Sequence, residues 1–334
     1  MENKHNSWDL PQMQSLPLSA KIRMTEQRII DWYEAFDGNV YVSVSGGKDS
    51  QVLAHIVKRL YPNVPCVFVN TGLEYDSVRV KGQELADEIL RPGMNFIEVI
   101  TKYGYPVISK EVSDCVAGAK RYIESGGRKG SIDRLNKLRG TRLKKDGTLS
   151  QYNYKKYEYL LDAPFRISPA CCNVMKKNPS KAYEKRTGRQ PFIGTLASES
   201  RLRRQKWEKY GCNAFEKNRP TSQPLSFWTE QDILKYIQLY DIDIAEAYGN
   251  IICNDKKMLT TTKEERTGCV FCLFGITRDP ERLLRVKEME PKKYDLIMSG
   301  GKFDKQGMWV PDYGLGYKFV IDWLNEHGGL DIKY

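Results

Sequence analysis

One string of six residues has the composition of a phosphate-binding loop: Ser45-Gly46-Gly47-Lys48-Asp49-Ser50. It stands between an alternating apolar run at residues 39–44 and an apolar segment at residues 51–57, which predicts a strand, a loop and a helix. Such a loop directs backbone N–H groups and the positive end of the helix dipole at one point. The two glycines would let a phosphate approach the backbone, and the hydroxyls and the amine would donate to it. Because Asp49 repels phosphate, we expect it to orient a donor or to help hold Mg²⁺.

Four of the eight cysteines form two close pairs: Cys171, Cys172, Cys269 and Cys272. Four thiolates suit either a [4Fe–4S] cluster or a zinc ion. The N-terminus lacks the pattern of a signal peptide, so we expect a cytoplasmic protein whose thiols serve metal or redox chemistry. Cys66 lies in an apolar run and is expected in the core. Cys212 is either a spare redox thiol or an ordinary loop cysteine.

Alternating strands and helices must position these residues. Helical spacing predicts an amphipathic helix at residues 20–36. Strands are predicted at residues 39–44, 66–70, 95–100 and 190–195, and further helices at residues 51–57, 76–90, 229–237 and 317–326. This order predicts an α/β fold, a Rossmann-like parallel sheet with helices on both faces.

We expect three regions along the chain. They are an N-terminal helical segment at residues 1–37, a nucleotide-binding α/β domain at residues 38–240, and a C-terminal region at residues 241–334 that carries the second cysteine pair and an aromatic, glycine-rich tail. With 40% hydrophobic residues, the 334-residue chain can bury a core. No apolar run reaches the roughly 18–20 residues of a membrane span, so we expect no membrane partner.

The six-residue loop resembles the pyrophosphate loop, or PP-loop, of the adenine-nucleotide α-hydrolase-like superfamily, and it lacks the Walker spacing. Three further segments resemble the phosphoadenosine phosphosulfate reductase family: residues 69–75, 194–203 and 224–233. The resemblance implies an adenine nucleotide, ATP or adenylyl sulfate, as the bound partner. It implies these nucleotide-binding residues: Ser43, Ser45, Gly46, Gly47, Lys48, Asp49, Ser50, Asn70, Thr71, Gly72, Gly194, Ser200 and Arg203.

The cysteine pattern is similar to that of adenylyl-sulfate reductases, which bind a [4Fe–4S] cluster through a CC…CxxC arrangement. This similarity implies that Cys171, Cys172, Cys269 and Cys272 are the cluster ligands. Three cations lie close to them in the sequence and would suit an anionic cluster: Lys176, Lys177 and Arg266.

Two departures from the family pattern bear on the reaction. The family's reductases attack sulfur with a cysteine in a C-terminal Glu-Cys-Gly tail, whereas no cysteine follows Cys272 here. The family also places an arginine where this sequence has Leu196, which removes a contact to a sulfonucleotide.

We therefore expect an ATP pyrophosphatase, similar to DNA phosphorothioation ATP-pyrophosphatases, in which Lys48, Asp49 and Arg203 are catalytic and Mg²⁺ takes part. An acceptor oxygen would attack the α-phosphate and release pyrophosphate. A sulfur donor, which could be a protein, would then displace AMP. One alternative is a sulfonucleotide reductase that uses Cys212 or a partner's thiol. Another is an iron–sulfur, nucleic-acid-binding subunit that is switched by the nucleotide.

Residues 120–156 interrupt the α/β pattern as a basic insertion. They contain 12 Lys/Arg against 3 Asp/Glu, and this net charge of +9 is most of the chain's +11. Tyrosines are interleaved with the cations, a pattern typical of contact with nucleic-acid phosphates and bases. The alternatives are a solvated loop and a loop that closes over the nucleotide. Because the segment is rich in Gly and Ser and has little apolar periodicity, we expect it to be partly mobile.

Overall fold

The computed structural model describes residues 3–334. The chain forms two compact units, Met1–Arg91 with Pro179–Gly268, and Pro92–Asn178 with Cys269–Tyr334. This division differs from the boundaries expected after residues 37 and 240, because the chain leaves the first unit after Arg91 and returns to it at Pro179. The PP-loop lies in the first unit, and all four paired cysteines lie in the second.

The strands, in chain order, are β1 (Val40–Val44), β2 (Cys66–Val69), β3 (Glu88–Leu90), β4 (Val107–Ile108), β5 (Gln190–Ile193), β6 (Asn213–Ala214), β7 (Thr221–Ser222), β8 (Ile251–Cys253), β9 (Leu259–Thr261), β10 (Leu273–Phe274), β11 (Lys302–Phe303) and β12 (Trp309–Val310).

The α-helices are α1 (Asp9–Gln14), α2 (Leu18–Ala35), α3 (Lys48–Leu60), α4 (Asp76–Leu85), α5 (Phe96–Tyr103), α6 (Lys110–Glu124), α7 (Ile132–Arg139), α8 (Asn178–Thr187), α9 (Arg201–Tyr210), α10 (Glu230–Leu239), α11 (Arg282–Met289), α12 (Pro291–Met298) and α13 (Tyr317–Gly328). Shorter 3₁₀ or π turns occupy Lys155–Asp162, Asn173–Lys177, Ala197–Glu199 and Glu246–Tyr248.

The first unit contains a six-stranded sheet in the order β3-β2-β1-β5-β7-β6. Its pairings are parallel except for the antiparallel pair of β6 and β7. Helices flank this sheet, so the α/β, Rossmann-like fold class expected from the sequence is confirmed. Strand β1 lies between β2 and β5, where the strand order reverses direction. In open α/β sheets this reversal is where ligands bind, beyond the carboxyl ends of the strands.

Burial explains why these segments fold as they do. Alternate residues Val40, Val42 and Val44 of β1 are buried in the main core, together with Ile29 and Trp32 of α2. The buried face of α3 adds Val52, Leu53, Ala54, Ile56 and Val57 to that core. The expected helices at 20–36, 51–57, 229–237 and 317–326 and the strands at 39–44, 66–70 and 190–195 are therefore present, and Cys66 is a buried core thiol.

The third expected strand, at residues 95–100, is wrong. These residues begin helix α5, where Asn95 and Glu98 form a reciprocal capping box and Phe96, Val99 and Ile100 are buried. Apolar residues at i, i+3 and i+4 fit one helix face, so the β-branched composition of this segment misled the prediction. The strand that follows β2 along the chain is β3 (Glu88–Leu90), whereas the sequence predicted that these residues end the helix at residues 76–90.

The second unit is mainly helical, with a short parallel pair of β4 and β10. Its core is aromatic: Tyr105 contacts the rings of Phe165 and Tyr317, and Phe165 contacts Trp323. Part of the basic segment has regular structure, which corrects the expectation of little apolar periodicity. Helix α7 buries Leu135 and Leu138, and a bridge between Leu143 and Leu149 closes a hairpin. Within residues 3–334, no helix has the length and apolar character needed to cross a membrane.

Candidate functional site

The PP-loop connects β1 to α3, and Gly46 and Gly47 give it its shape. Gly46 has φ +73°, and a Cβ there would lie 1.9 Å from the Val78 carbonyl oxygen, so a larger residue cannot replace it without a clash. Gly47 is the N-cap of α3, and no side chain caps this helix end. The first turn of α3 therefore directs its N–H groups and the positive end of the helix dipole toward the loop, an arrangement suited to phosphate.

Hydroxyl groups hold the loop closed on itself. Ser50 Oγ accepts a hydrogen bond from the Ser45 N–H at 3.1 Å and donates to the Gly47 carbonyl at 2.8 Å. Gly47 N–H donates to Ser45 Oγ at 3.3 Å, and Gln51 Nε2 donates to the Gly46 carbonyl at 3.0 Å. The two serines thus shape the loop, while their hydroxyls remain beside the N–H groups that a phosphate would approach.

Lys48 is buried, and its ammonium has three neighbours. Nζ forms a 2.8 Å ion pair with Glu230, donates to the Glu265 carbonyl, and lies 4.8 Å from the centre of the Tyr248 ring. The Lys48 N–H donates to the Tyr248 hydroxyl, which shares a 2.7 Å hydrogen bond with Thr267. The lysine is therefore positioned by side chains that lie about 200 residues further along the chain.

Arg203, at the start of α9, pairs with Glu199. The same carboxylate lies 3.6 Å from Arg266 Nη1 and accepts a hydrogen bond from the Leu196 N–H at 2.9 Å. Burial lowers the pKa of Arg203 from its usual value. Arg203, the predicted catalytic arginine, and Arg266 therefore share the carboxylate of Glu199.

Asp49 is a residue of the PP-loop whose side chain lacks a hydrogen-bond donor at one oxygen within the described part of the chain. Its Oδ1 atom is buried and accepts no hydrogen bond from any of residues 3–334. Burial raises the pKa of this carboxyl, and the nearby charges of Lys48, Arg266 and Arg203 oppose that rise. A buried carboxylate oxygen without a hydrogen-bond donor has the chemistry of a ligand for a hard divalent cation.

The other predicted nucleotide-binding residues lie at the carboxyl ends of the neighbouring strands. Gly194 follows β5, and a Cβ there would lie 2.9 Å from the Asp49 carbonyl, so this glycine allows β5 to approach the loop. Asn70, Thr71 and Gly72 form a turn after β2, in which Asn70 accepts from the Gly72 N–H and Thr71 donates to Glu74. Ser43 lies within β1. Ser200 caps α9 by accepting from the Arg203 N–H, which is a structural role.

Sequence reasoning missed five residues of this site: Glu199, Glu230, Tyr248, Glu265 and Thr267. It also assigned Arg266 to the cysteine cluster, whereas the structure pairs this arginine with Glu199 and places its charge near Asp49. The sequence signals were weak, since these residues reach the loop only through tertiary folding. The capping signal of α10 located Glu230 but gave no reason to connect it with Lys48.

The four paired cysteines lie near one another in the second unit. The Cys171–Cys172 hydrogen bond, together with burial and the charges of Cys172, Cys272 and Cys269, raises the pKa of Cys171. The same hydrogen bond, with Lys110 and Lys176, lowers the pKa of Cys172 and favours its thiolate. Burial raises the pKa of Cys272 to about 12. Lys176 was expected near this cluster, and Lys110 was not.

The backbone around each cysteine pair is specialised. Cys172 is followed by a π-helical turn, Asn173–Lys177, a feature that is frequent at functional sites. Arg282 donates to the carbonyls of Cys269 and Cys272 at 2.8 and 3.2 Å, and the Phe274 N–H donates to Cys272 Sγ at 3.4 Å. Within residues 3–334 we find no group of three or more His, Cys, Asp or Glu side chains placed to hold a metal ion. The thiols are therefore neighbours that do not converge in this structure, and the cluster stays a prediction.

The remaining thiols differ in exposure. Cys66, Cys115 and Cys212 are buried, whereas Cys253 is exposed on β8. Burial raises the pKa of Cys212, which lies in the main core with Trp207. A buried thiol with a raised pKa is a poor nucleophile, so the structure counts against Cys212 as a redox residue.

Comparisons with known proteins found a matching family model, a curated relative and a solved structure. Residues 39–103 and 121–272 match the family model described as Phosphoadenosine phosphosulfate reductase domain. An uncharacterized protein of Methanocaldococcus jannaschii is 23% identical over 262 residues, which are 77% of this chain and 46% of that protein. The chain thus spans about half the length of this curated relative. The crystal structure of a phosphoadenylyl-sulfate reductase from Candida auris, a phosphate complex, matches with a TM-score of 0.37 and 13% identity, over 74% of this chain and 92% of the other.

Proposed function

We propose that this chain, which belongs to the phosphoadenosine phosphosulfate reductase family, binds ATP with Mg²⁺. It would cleave ATP to AMP and pyrophosphate and thereby activate an acceptor for sulfur transfer. The observation that carries this proposal is the pairing of Lys48, Arg203 and Arg266 with carboxylates. Lys48 faces Glu230, while Arg203 and Arg266 share Glu199.

This pairing favours a metal–nucleotide complex over a free anion. A phosphate that approaches three neutralised cations meets the repulsion of Glu199, Glu230 and Asp49. A divalent cation that binds together with the nucleotide would offset that repulsion. Asp49 Oδ1, which has no hydrogen-bond donor among residues 3–334, is suited to hold this cation. When bound, Mg²⁺ would neutralise phosphate charge and favour the departure of pyrophosphate.

The chain's own residues would act as follows. The N–H groups at the start of α3 and the hydroxyls of Ser45 and Ser50 would bind the β- and γ-phosphates. Lys48 and Arg203 would stabilise the charge that develops as an acceptor oxygen bonds to the α-phosphorus and pyrophosphate leaves. The sulfur donor would then bond to the activated acceptor, and AMP would leave with the acceptor's original oxygen.

The four paired thiols are proposed to hold a [4Fe–4S] cluster through Cys171, Cys172, Cys269 and Cys272. The chemistry of the donor set fits: one thiol has a lowered pKa, and Lys110 and Lys176 lie beside it to balance an anionic cluster. Zinc would draw all four sulfurs onto one ion at about 2.3 Å, whereas each cysteine of a [4Fe–4S] cluster binds a different iron.

The alternative activity is reduction of a sulfonucleotide, which requires an accessible thiolate outside the cluster ligands. Burial of Cys66, Cys115 and Cys212 leaves Cys253 as the exposed thiol among the other cysteines of residues 3–334. Cys253 lies on the surface in the hairpin of β8 and β9.

The second proposed partner is a nucleic acid, which would be the acceptor or its carrier. Eight cations of the basic segment are exposed: Arg121, Arg128, Lys129, Arg139, Lys144, Lys145, Lys155 and Lys156. Helix α7 carries Arg139, and the hairpin closed by Leu143 and Leu149 carries Lys144 and Lys145, so regular structure supports these three cations for contact with phosphates.

Product analysis tests the activity. Purified protein incubated without oxygen with MgATP, a candidate acceptor and sulfide as the sulfur donor should yield AMP and pyrophosphate in equal amounts, and Lys48→Ala should abolish both products. Formation of ADP and phosphate, or of AMP by Lys48→Ala at the wild-type rate, would rule out the proposed chemistry.

A further inference from the structure

A short segment after β9 reaches across to the PP-loop. We call residues 264–268 the strap; they have no regular secondary structure and end one residue before Cys269. Glu264 anchors the strap: it is buried, its N–H donates to the Ala247 carbonyl at 3.0 Å, and its carboxylate accepts from the Tyr75 hydroxyl at 3.1 Å.

The rest of the strap touches the loop and its surroundings at three points. The Glu265 carbonyl accepts from Lys48 Nζ, Thr267 shares its hydroxyl hydrogen bond with Tyr248, and Arg266 faces Glu199. Two of these contacts involve the groups that position Lys48. A phosphate bound by Lys48 must therefore share the lysine's donors with the strap, or displace it.

Arg266 is an exposed residue of the strap. Its guanidinium lies 3.6 Å from Glu199, beyond hydrogen-bond distance, and its side chain is 59% exposed. Arg203 holds the same carboxylate more closely. An exchange of Glu199 for a phosphate would give Arg266 a bidentate, charge-assisted partner and would leave Arg203 to neutralise Glu199.

We propose that the strap is the element that senses the nucleotide: Arg266 binds the phosphates of ATP, and its movement displaces the backbone that leads directly into Cys269. This rests on the proposed function, since it requires ATP at the loop. Arg266 and Cys269 are three residues apart, so their Cα atoms are separated by at most about 11 Å of chain. Nucleotide binding thereby changes the environment of a predicted cluster ligand through the covalent chain.

Two measurements on the full-length protein test this inference. Calorimetric titration compares MgATP with adenosine for the wild type and for Arg266→Ala; Lys263→Ala is the matched control, because this neighbouring cation pairs with Glu246 instead. We expect Arg266→Ala to weaken MgATP binding about tenfold, the value of roughly one charge-assisted hydrogen bond, and to leave adenosine binding unchanged. Lys263→Ala should bind both ligands like the wild type.

Hydrogen–deuterium exchange then reports on the strap itself. In the wild type, saturating MgATP should change the hydrogen–deuterium exchange rate of peptides that cover residues 262–270. In Arg266→Ala, saturating MgATP should leave the exchange rate of the same peptides unchanged. Equal MgATP affinity in wild type and Arg266→Ala, or exchange that MgATP leaves unaltered, overturns the inference while the proposed function stands. A wild type that does not bind MgATP overturns both. A lost fold in Arg266→Ala would be recognised by a lowered affinity for adenosine as well.

Discussion

Lys48 and Glu230 form a 2.8 Å ion pair in which the lysine side chain is only 3% exposed and the glutamate is 38% exposed. The cation of the PP-loop is thus already neutralised by the first residue of α10, a helix more than 180 residues away in the sequence. A ligand that needs Lys48 must compete with Glu230 or bring its own positive charge.

Replacing Glu230 with glutamine should change the metal dependence of nucleotide binding. Without the carboxylate, Lys48 can bind phosphate directly, so Glu230→Gln should bind metal-free ATP about tenfold more tightly than the wild type does. Calorimetric titration with and without Mg²⁺ measures this. Glu246→Gln removes a carboxylate that pairs with Lys263 and should behave like the wild type. An unchanged affinity of Glu230→Gln for metal-free ATP would contradict the argument from charge pairing.

Gly46→Ala should destroy the loop. The left-handed backbone alone costs about 1–3 kcal/mol, and the clash of Cβ with the Val78 carbonyl adds to it. We expect a lowered free energy of unfolding and no measurable MgATP binding. Gly126→Ala is the control, because Gly126 also has positive φ but has open space around it. Chemical denaturation should find a clearly smaller loss for Gly126→Ala; equal losses would mean that the contact with Val78 is unimportant.

Removing one paired thiol should remove the cluster. Protein prepared without oxygen should contain about four iron atoms per chain and absorb broadly near 400 nm. Cys172→Ser should lose most of the iron, whereas Cys253→Ser, which changes an exposed cysteine outside the pairs, should keep it. Metal analysis decides between the cluster and zinc: one zinc per chain and no iron would refute the cluster.

The hairpin of the basic segment offers a test of nucleic-acid binding with a close internal control. Lys144 and Lys145 stand in one hairpin, and Lys256 and Lys257 stand in the hairpin of β8 and β9. If the basic segment contacts phosphates, the double change of Lys144 and Lys145 to glutamine should remove about two phosphate contacts with DNA or RNA. The slope of log affinity against log salt concentration should then become shallower by about two. The same change at Lys256 and Lys257 should have no effect. Equal effects would indicate nonspecific attraction, and no binding at low salt would exclude the partner.

Stability should fall in mild acid partly because of His55. Burial, with the charge of Arg59, lowers the pKa of His55 below its usual 6.5. The unfolded chain therefore takes up the proton first, so this contribution to stability is complete above about pH 6.5 and is lost as the pH falls toward the folded pKa. His55→Gln should flatten the slope of unfolding free energy between pH 7 and pH 5, and His327→Gln, on α13, serves for comparison. A slope that His55→Gln leaves unchanged would assign the pH dependence to other groups.

Contiguous features could be predicted from the sequence. The PP-loop, the flanking strand and helix, and the Thr229 cap of α10 are encoded within a few neighbouring residues each. The partners of Lys48 and Arg203 could not be predicted in this way, because Glu230, Tyr248 and Arg266 reach the site through tertiary contacts that leave no local pattern. Helix α5 was mistaken for a strand because its apolar residues are β-branched or aromatic, although their i, i+3 and i+4 spacing and the Asn95 capping box favour a helix.

Equilibrium binding of MgATP against adenylyl sulfate and its 3′-phosphorylated form, measured by calorimetry on oxygen-free protein, tests the central claim most directly. The account predicts that MgATP binds tightly, that chelation of Mg²⁺ abolishes this binding, and that both sulfonucleotides bind weakly in the presence or absence of the metal. Tight, metal-independent binding of a sulfonucleotide with weak binding of MgATP would contradict it, because the paired carboxylates would then be no barrier to a free anion.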